Sequence, residues 1–128
     1  MTNSKIDKVL MVDDDPNIRL IAEMSLEGLT SWQVKTASSA KDALAAIEEE
    51  APDLILLDMM MPDMDGITCY SQIKNLLGLN SPRVIFMTAK VQTQEVERYK
   101  ALGAAGVITK PFDPMKLPDQ IKDILNLA

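Results

Sequence analysis

Four apolar runs of this chain end at polar residues that could do chemistry. Leu54-Ile55-Leu56-Leu57 closes on Asp58, with Met59-Met60-Met61 and Pro62 directly behind it, and Val9-Leu10-Met11-Val12 closes on Asp13-Asp14. Arg83 to Met87 leads to Thr88 and Ala89, and the run from Gly106 leads to Lys110 and Pro111. An aspartate at the mouth of a buried strand is a candidate nucleophile. Carboxylates gathered at one edge repel one another, and without a cation at least one tends to take up a proton. A divalent metal removes that conflict. With oxygen ligands alone on offer, Mg²⁺ is the natural ion, because it keeps bound water and both orients and neutralises phosphate groups. Lys110 as a point charge and Thr88 as a hydroxyl donor complete a set suited to phosphoryl transfer, which depends mainly on positioning and charge stabilisation.

Composition narrows the field. The chain has no histidine, which removes the usual general base, the usual transition-metal ligand and any internal phosphohistidine. Its net charge of −6 argues against nucleic acid as a direct partner, since phosphate backbones select basic faces. The single Cys69 cannot form an internal disulfide, and Met1 to Lys8 lacks the basic flank and apolar core of a signal peptide. No apolar run approaches the roughly 18 residues of a membrane helix. A cytoplasmic protein without membrane contact is expected.

The elements that must position these residues are legible as an alternation. Strands are predicted near residues 7 to 12, 32 to 37, 53 to 58, 83 to 88 and 106 to 109. Asp15-Pro16 offers an N-cap and a first-turn proline for a helix running to about Leu29, with Ile18, Ile21, Ala22 and Leu26 at helical spacing. Ser39 caps a second helix with Ala40, Ala43, Leu44 and Ile47 inward, which Pro52 stops, and whose Glu48-Glu49-Glu50 reads as a solvated face. Asp65 caps a third helix through Ile67, Tyr70, Lys74 and Leu77, and Thr93 a fourth that runs to Gly103. Asp113-Pro114 resembles a fifth start, but Pro118 four residues on moves the regular helix nearer to itself, since a proline in a helix interior costs about 3 kcal/mol. Five strands alternating with five helices make an α/β, doubly wound (βα)5 sandwich around a parallel sheet. Ligands in such sheets bind beyond the carboxyl ends of the strands, where Asp13, Asp14, Asp58, Thr88 and Lys110 all fall.

On these residues the sequence resembles a receiver domain of the bacterial two-component response regulators, of the chemotaxis-regulator type. The resemblance runs through Val9 to Pro16, Asp53 to Gly66, Met87-Thr88-Ala89, Gly103-Ala104 and Lys110-Pro111-Phe112. It implies a flavodoxin-like sheet in the order 2-1-3-4-5 and Asp58 as phosphoacceptor. It further implies Asp14 as a direct Mg²⁺ ligand, Asp13 acting largely through water, and Met60 ligating by its backbone carbonyl. Thr88 would bind and sense the phosphoryl group, Lys110 would pair with Asp58, and the Lys110-Pro111 bond would be cis. The donor would be a phosphohistidine on a histidine kinase or phosphotransfer protein. Output would pass to a protein target through the surface of the fourth helix, fifth strand and fifth helix, from a monomer or a phosphorylation-linked dimer. Val107 departs from the pattern. Receivers of this type commonly carry an aromatic residue three positions before the lysine, whose inward rotation accompanies the threonine's shift, so the switch is expected to run through Thr88 and the loop before the fourth helix. Tyr99, in the same region, reads equally as a packing residue and as a contact.

Two other readings compete. Asp63-Met64-Asp65-Gly66 is similar to the opening of haloacid-dehalogenase-type phosphatases, with Asp63 as nucleophile and Asp65 as acid/base, although Pro62 and three methionines separate it from the strand. A degenerate receiver would bind partners without being phosphorylated, which the complete acidic set argues against. The expectation is a single receiver domain over residues 1–128, with no output domain, that acts as a phosphorylation-dependent signalling switch in a phosphorelay and not as a turnover enzyme on small substrates. It would promote its own phosphotransfer and dephosphorylation.

Overall fold

In a computed structural model that describes residues 6–78, 82–89 and 92–127, strand and helix alternate from end to end. Met1 to Lys5 and Ala128, which belong to the expected domain, and part of the loop before the fourth helix lie outside the described residues. The elements are β1 (Lys8–Val12), α1 (Pro16–Leu29), β2 (Gln33–Ala37), α2 (Ala40–Glu49), β3 (Leu54–Asp58), α3 (Gly66–Leu77), β4 (Arg83–Thr88), α4 (Thr93–Ala101), β5 (Gly106–Thr109) and α5 (Leu117–Leu125). All strand pairs are parallel and the order is β2-β1-β3-β4-β5.

Both faces of the sheet are covered, which is why β1 and β3 are apolar without alternation. Leu10, Val12, Ile55, Leu57, Val84 and Phe86 face a core shared with α2, α3 and α4. Val9, Met11, Leu54, Leu56, Ile85 and Met87 face the core under α1 and α5.

Local chemistry sets most helix starts. Asp15 accepts from the Asn17 amide at 2.9 Å with Pro16 in the first turn, Ser39 Oγ from Asp42 at 3.1 Å, and Asp65 from Thr68 at 2.8 Å. The fourth helix differs from expectation by one residue. Gln92 occupies the cap position without a side-chain hydrogen bond, and Thr93 is the first helical residue. Near α5, Asp113 Oδ1 accepts from the Met115 amide at 2.9 Å and forms a separate turn, so the helix opens at Leu117 with Pro118 in its first turn, where no amide is lost. Glu50 is not a purely solvated charge: it pairs with Lys8 at 2.8 Å and with Lys35 at 3.4 Å across the sheet edge.

Candidate functional site

The register of the sheet brings the polar strand ends together. Val12 pairs with Leu57, Asp58 with Met87, and Thr88 with Thr109, so each of Asp13, Asp58, Thr88 and Lys110 leaves the same edge. Backbone hydrogen bonds continue the ladders past the strand ends. The Met59 amide donates to Met87 O at 3.0 Å and the Lys110 amide to Thr88 O at 2.8 Å. The Lys110-Pro111 bond is cis, as the resemblance implied.

Gly66 closes the back of the site. Its amide donates to Met59 O at 2.9 Å, and a Cβ there would lie 2.9 Å from both Asp58 O and Met59 Cα. Any side chain would therefore displace the turn that holds the candidate nucleophile.

Asp13 and Asp58 are buried at 1% and 2% exposure, whereas Asp14 is exposed. Lys110 Nζ lies 3.1 Å from Asp13 Oδ2 and 3.1 Å from Asp58 Oδ1. Asp58 Oδ1 also accepts from the Met60 amide at 3.2 Å. Asp58 Oδ2 accepts nothing among the described residues, and since none of the buried side-chain oxygens of those residues lacks a partner, it opens to the cavity. That cavity holds about 540 Å³ and is bordered by Asp14, Asp58, Thr88, Glu95, Tyr99 and Lys110.

One carboxylate oxygen from each of Asp13, Asp14 and Asp58 lies within 4.8 Å of the others, an all-oxygen donor set. Three negative groups face one ammonium, and the protonation equilibria register the surplus. Burial pushes the Asp58 carboxyl above its ordinary range, further than Lys110 and the Met60 amide draw it down, and the Asp13 charge adds to the rise. Burial would lower Lys110, but its bonds to Asp13 and Asp58 outweigh that and leave it raised. The two directions describe one imbalance: the lysine stays charged, and Asp58 is a carboxylate held ionised at a cost. A divalent cation bound by oxygen fits this arrangement.

Both oxygens of Asp13 are engaged, Oδ1 by the Asp15 amide at 2.9 Å and Oδ2 by Lys110, whereas no hydrogen bond among the described residues occupies the Asp14 carboxylate. That split suits a direct ligand at Asp14 and a water-mediated one at Asp13. Met60 is 81% exposed, and its amide holds Asp58. Val107 lies opposite Phe86 and is packed against the core on that face. Tyr99 proves to be buried, its ring 5.2 Å from Phe86.

The phosphatase-like pair goes elsewhere. Asp63 accepts from the Ala40 and Lys41 amides at 3.3 and 3.1 Å, capping α2, and Asp65 caps α3. Neither borders the cavity. Cys69 is buried, its thiol pushed up to about 11 mainly by burial. Sequence reasoning missed Arg19, whose Nη1 donates to Asp13 O at 2.6 Å and fixes the loop after β1. No spacing signal separates it from a solvated helix arginine.

Comparison with known proteins agrees with this geometry. The family model described as response regulator receiver domain matches residues 9–122. The sporulation initiation phosphotransferase F of Bacillus subtilis is 37% identical over 123 residues, which cover 94% of this chain and 95% of that protein. The alkaline phosphatase synthesis transcriptional regulatory protein PhoP of B. subtilis is 37% identical over 118 residues, 92% of this chain but 48% of its own length. The chain spans about half the length of several such curated relatives. Among solved structures, the chemotaxis response regulator CheY4 of Vibrio cholerae superposes with a TM-score of 0.84 at 28% identity, covering 94% of this chain and 99% of that one.

Proposed function

The chain belongs to the response regulator receiver domain family, and from that premise we propose that it is a switch set by phosphorylation of Asp58. Receiver domains are signalling modules, not metabolic enzymes for small molecules. The observation that carries the reading is the asymmetry of Asp58: Oδ1 is held by Lys110 Nζ and the Met60 amide, while Oδ2 opens to the cavity beside Asp14.

In the proposed step Asp58 Oδ2 attacks the phosphorus of a phosphohistidine on a histidine kinase or phosphotransfer protein. The O–P bond forms as the P–N bond breaks, and the departing imidazole takes its proton from solvent. Lys110 then shares its charge between Asp13 and a phosphoryl oxygen, and the Thr88 hydroxyl donates to another. Mg²⁺, held by Asp13, Asp14, Asp58 and the Met60 carbonyl, would neutralise charge at the phosphoryl oxygens when bound. Attack by water on the acyl phosphate in the same pocket returns Asp58, which makes the signal reversible. Output runs to a protein partner through the α4, β5 and α5 surface, consistent with the net charge of −6, which disfavours a nucleic-acid contact.

Intact mass after incubation with acetyl phosphate tests the reading. With Mg²⁺ the wild type gains one phosphoryl group, Asp63→Asn does the same, and Asp58→Asn gains none. Absence of any adduct at any Mg²⁺ concentration returns the chain to the phosphorylation-independent binding module. Loss confined to Asp63→Asn would restore the phosphatase assignment.

A further inference from the structure

Tyr99 borders the cavity that holds Asp58, Thr88 and Lys110, yet it belongs to α4, of which it is the only buried residue. Its neighbours in that helix, Gln94, Glu97, Arg98 and Lys100 among them, are exposed. The ring packs at 60° on Phe86, centroids 5.2 Å apart, and Phe86 sits in β4 two residues before Thr88. The other tyrosine, Tyr70 of α3, meets the same phenylalanine edge-on at 5.5 Å. The residue opposite Phe86 in β5 is the aliphatic Val107, which adds no ring to the stack. A single aromatic side chain thus carries the buried contact of α4, and one side of it borders the acidic cavity.

The two ends of α4 are held unequally. At its C-terminal end Lys74 Nζ donates to Leu102 O at 3.1 Å while lying 5.3 Å from the Tyr70 ring centre. Gly103 follows with φ +110, and a Cβ there would sit 2.6 Å from the Tyr70 hydroxyl, so this corner is closely packed. At the first turn the N-cap residue, Gln92, makes no side-chain cap hydrogen bond among the described residues. Glu95, one turn before Tyr99 on the same side of the helix, also borders the cavity.

We propose that Tyr99 is the positioning residue through which the contents of the acidic cavity set the place of α4. This rests on the reading of Asp58 as phosphoacceptor. A phosphoryl group takes up space beside the ring and adds negative charge facing Glu95. The ring repacks on Phe86, and the first turn, which the Gln92 side chain does not cap, moves with it while the Lys74 corner stays fixed. Two arrangements of one side chain then suffice for a two-state helix.

The chain has only two tyrosines, so 3-fluorotyrosine labelling gives two fluorine resonances, assigned with Tyr70→Phe. On saturation with Mg²⁺ and beryllofluoride the Tyr99 resonance moves further than that of Tyr70, and amide exchange in α4 changes by about fivefold or more. Tyr99→Phe keeps the exchange change; Tyr99→Leu still binds beryllofluoride but shows less than about a twofold change. An α4 response in Tyr99→Leu equal to wild type overturns the proposal. Should that variant not fold, a Tyr99 resonance unmoved by bound beryllofluoride in the labelled native chain overturns it equally. A wild type that takes up no beryllofluoride at all sinks the phosphoacceptor reading first, a result distinct from either of these.

Discussion

Asp58 on one side, and Asp63 and Asp65 on the other, are the same residue type within eight positions of one another and are shifted in opposite directions. Burial at the end of β3 pushes Asp58 up. Backbone amides draw the other two down, that of Lys41 for Asp63 and that of Thr68 for Asp65. The exposed pair is satisfied by the chain itself and has nothing left to do. Asp58 has one oxygen committed and one open, in a pocket with more negative charge than Lys110 can balance. Chemistry is to be expected where the fold leaves a charge incompletely answered, and structure where it answers it.

The largest test of that contrast is Asp58→Asn, which should remove the phosphoryl adduct altogether while raising the stability of the metal-free protein. The buried carboxylate is ionised at a cost, and an isosteric amide relieves it. Thermal unfolding in a chelator should show the variant a few degrees above wild type, roughly 3 °C per kcal/mol for a chain of this size. Addition of Mg²⁺ at about a hundredfold excess over Kd should stabilise the wild type by about 3 kcal/mol and the variant by less. A variant less stable than wild type without metal would mean that Asp58 is already fully compensated.

Lys110→Met should come next in size. At saturating Mg²⁺, which holds the carboxylates in the lysine's absence, the rate of adduct formation from acetyl phosphate should fall about 100-fold, the usual cost of removing one preorganised group from a developing charge. An unchanged rate would show that the lysine only balances the resting pocket.

These two residues were legible in the sequence because each terminates an apolar run, and strand ends in a parallel sheet share an edge. Pattern alone therefore located Asp13, Asp58, Thr88 and Lys110 within a residue, along with all five strands. What it missed depends on side-chain reach. Arg19 ties down the loop after β1 from one turn into α1, and Tyr99, legible as a packing residue or a contact, borders a cavity that its place in a mostly polar helix did not signal. Asp63 entered only as a competing, phosphatase-like nucleophile, and the sequence did not signal its capping role because its partners, the Ala40 and Lys41 amides, lie more than twenty residues upstream. The start of α4 was misplaced because Thr93 is a good cap by type, while the structure puts Gln92 there without a cap bond.

The smallest effect belongs to the exposed pair, and its sign separates it from Asp58. Asp65→Ala removes the cap of α3 and should cost about 1 kcal/mol in urea unfolding at neutral pH, with the Mg²⁺-dependent adduct retained. Because the folded-state pKa of Asp65 is depressed, its contribution is complete above the ordinary aspartate value near 3.8 and is lost as pH falls through the lower folded value. Wild type and Asp65→Ala should therefore converge in stability below that range and differ by a constant amount above it. Asp58, raised in the folded state, has the opposite slope: its ionisation costs stability as pH rises through its folded value, so wild type and Asp58→Asn should diverge toward neutral pH. If both variants departed from wild type in the same direction toward neutral pH, burial would not distinguish the two groups of aspartates, and the argument that picks Asp58 from them would fail.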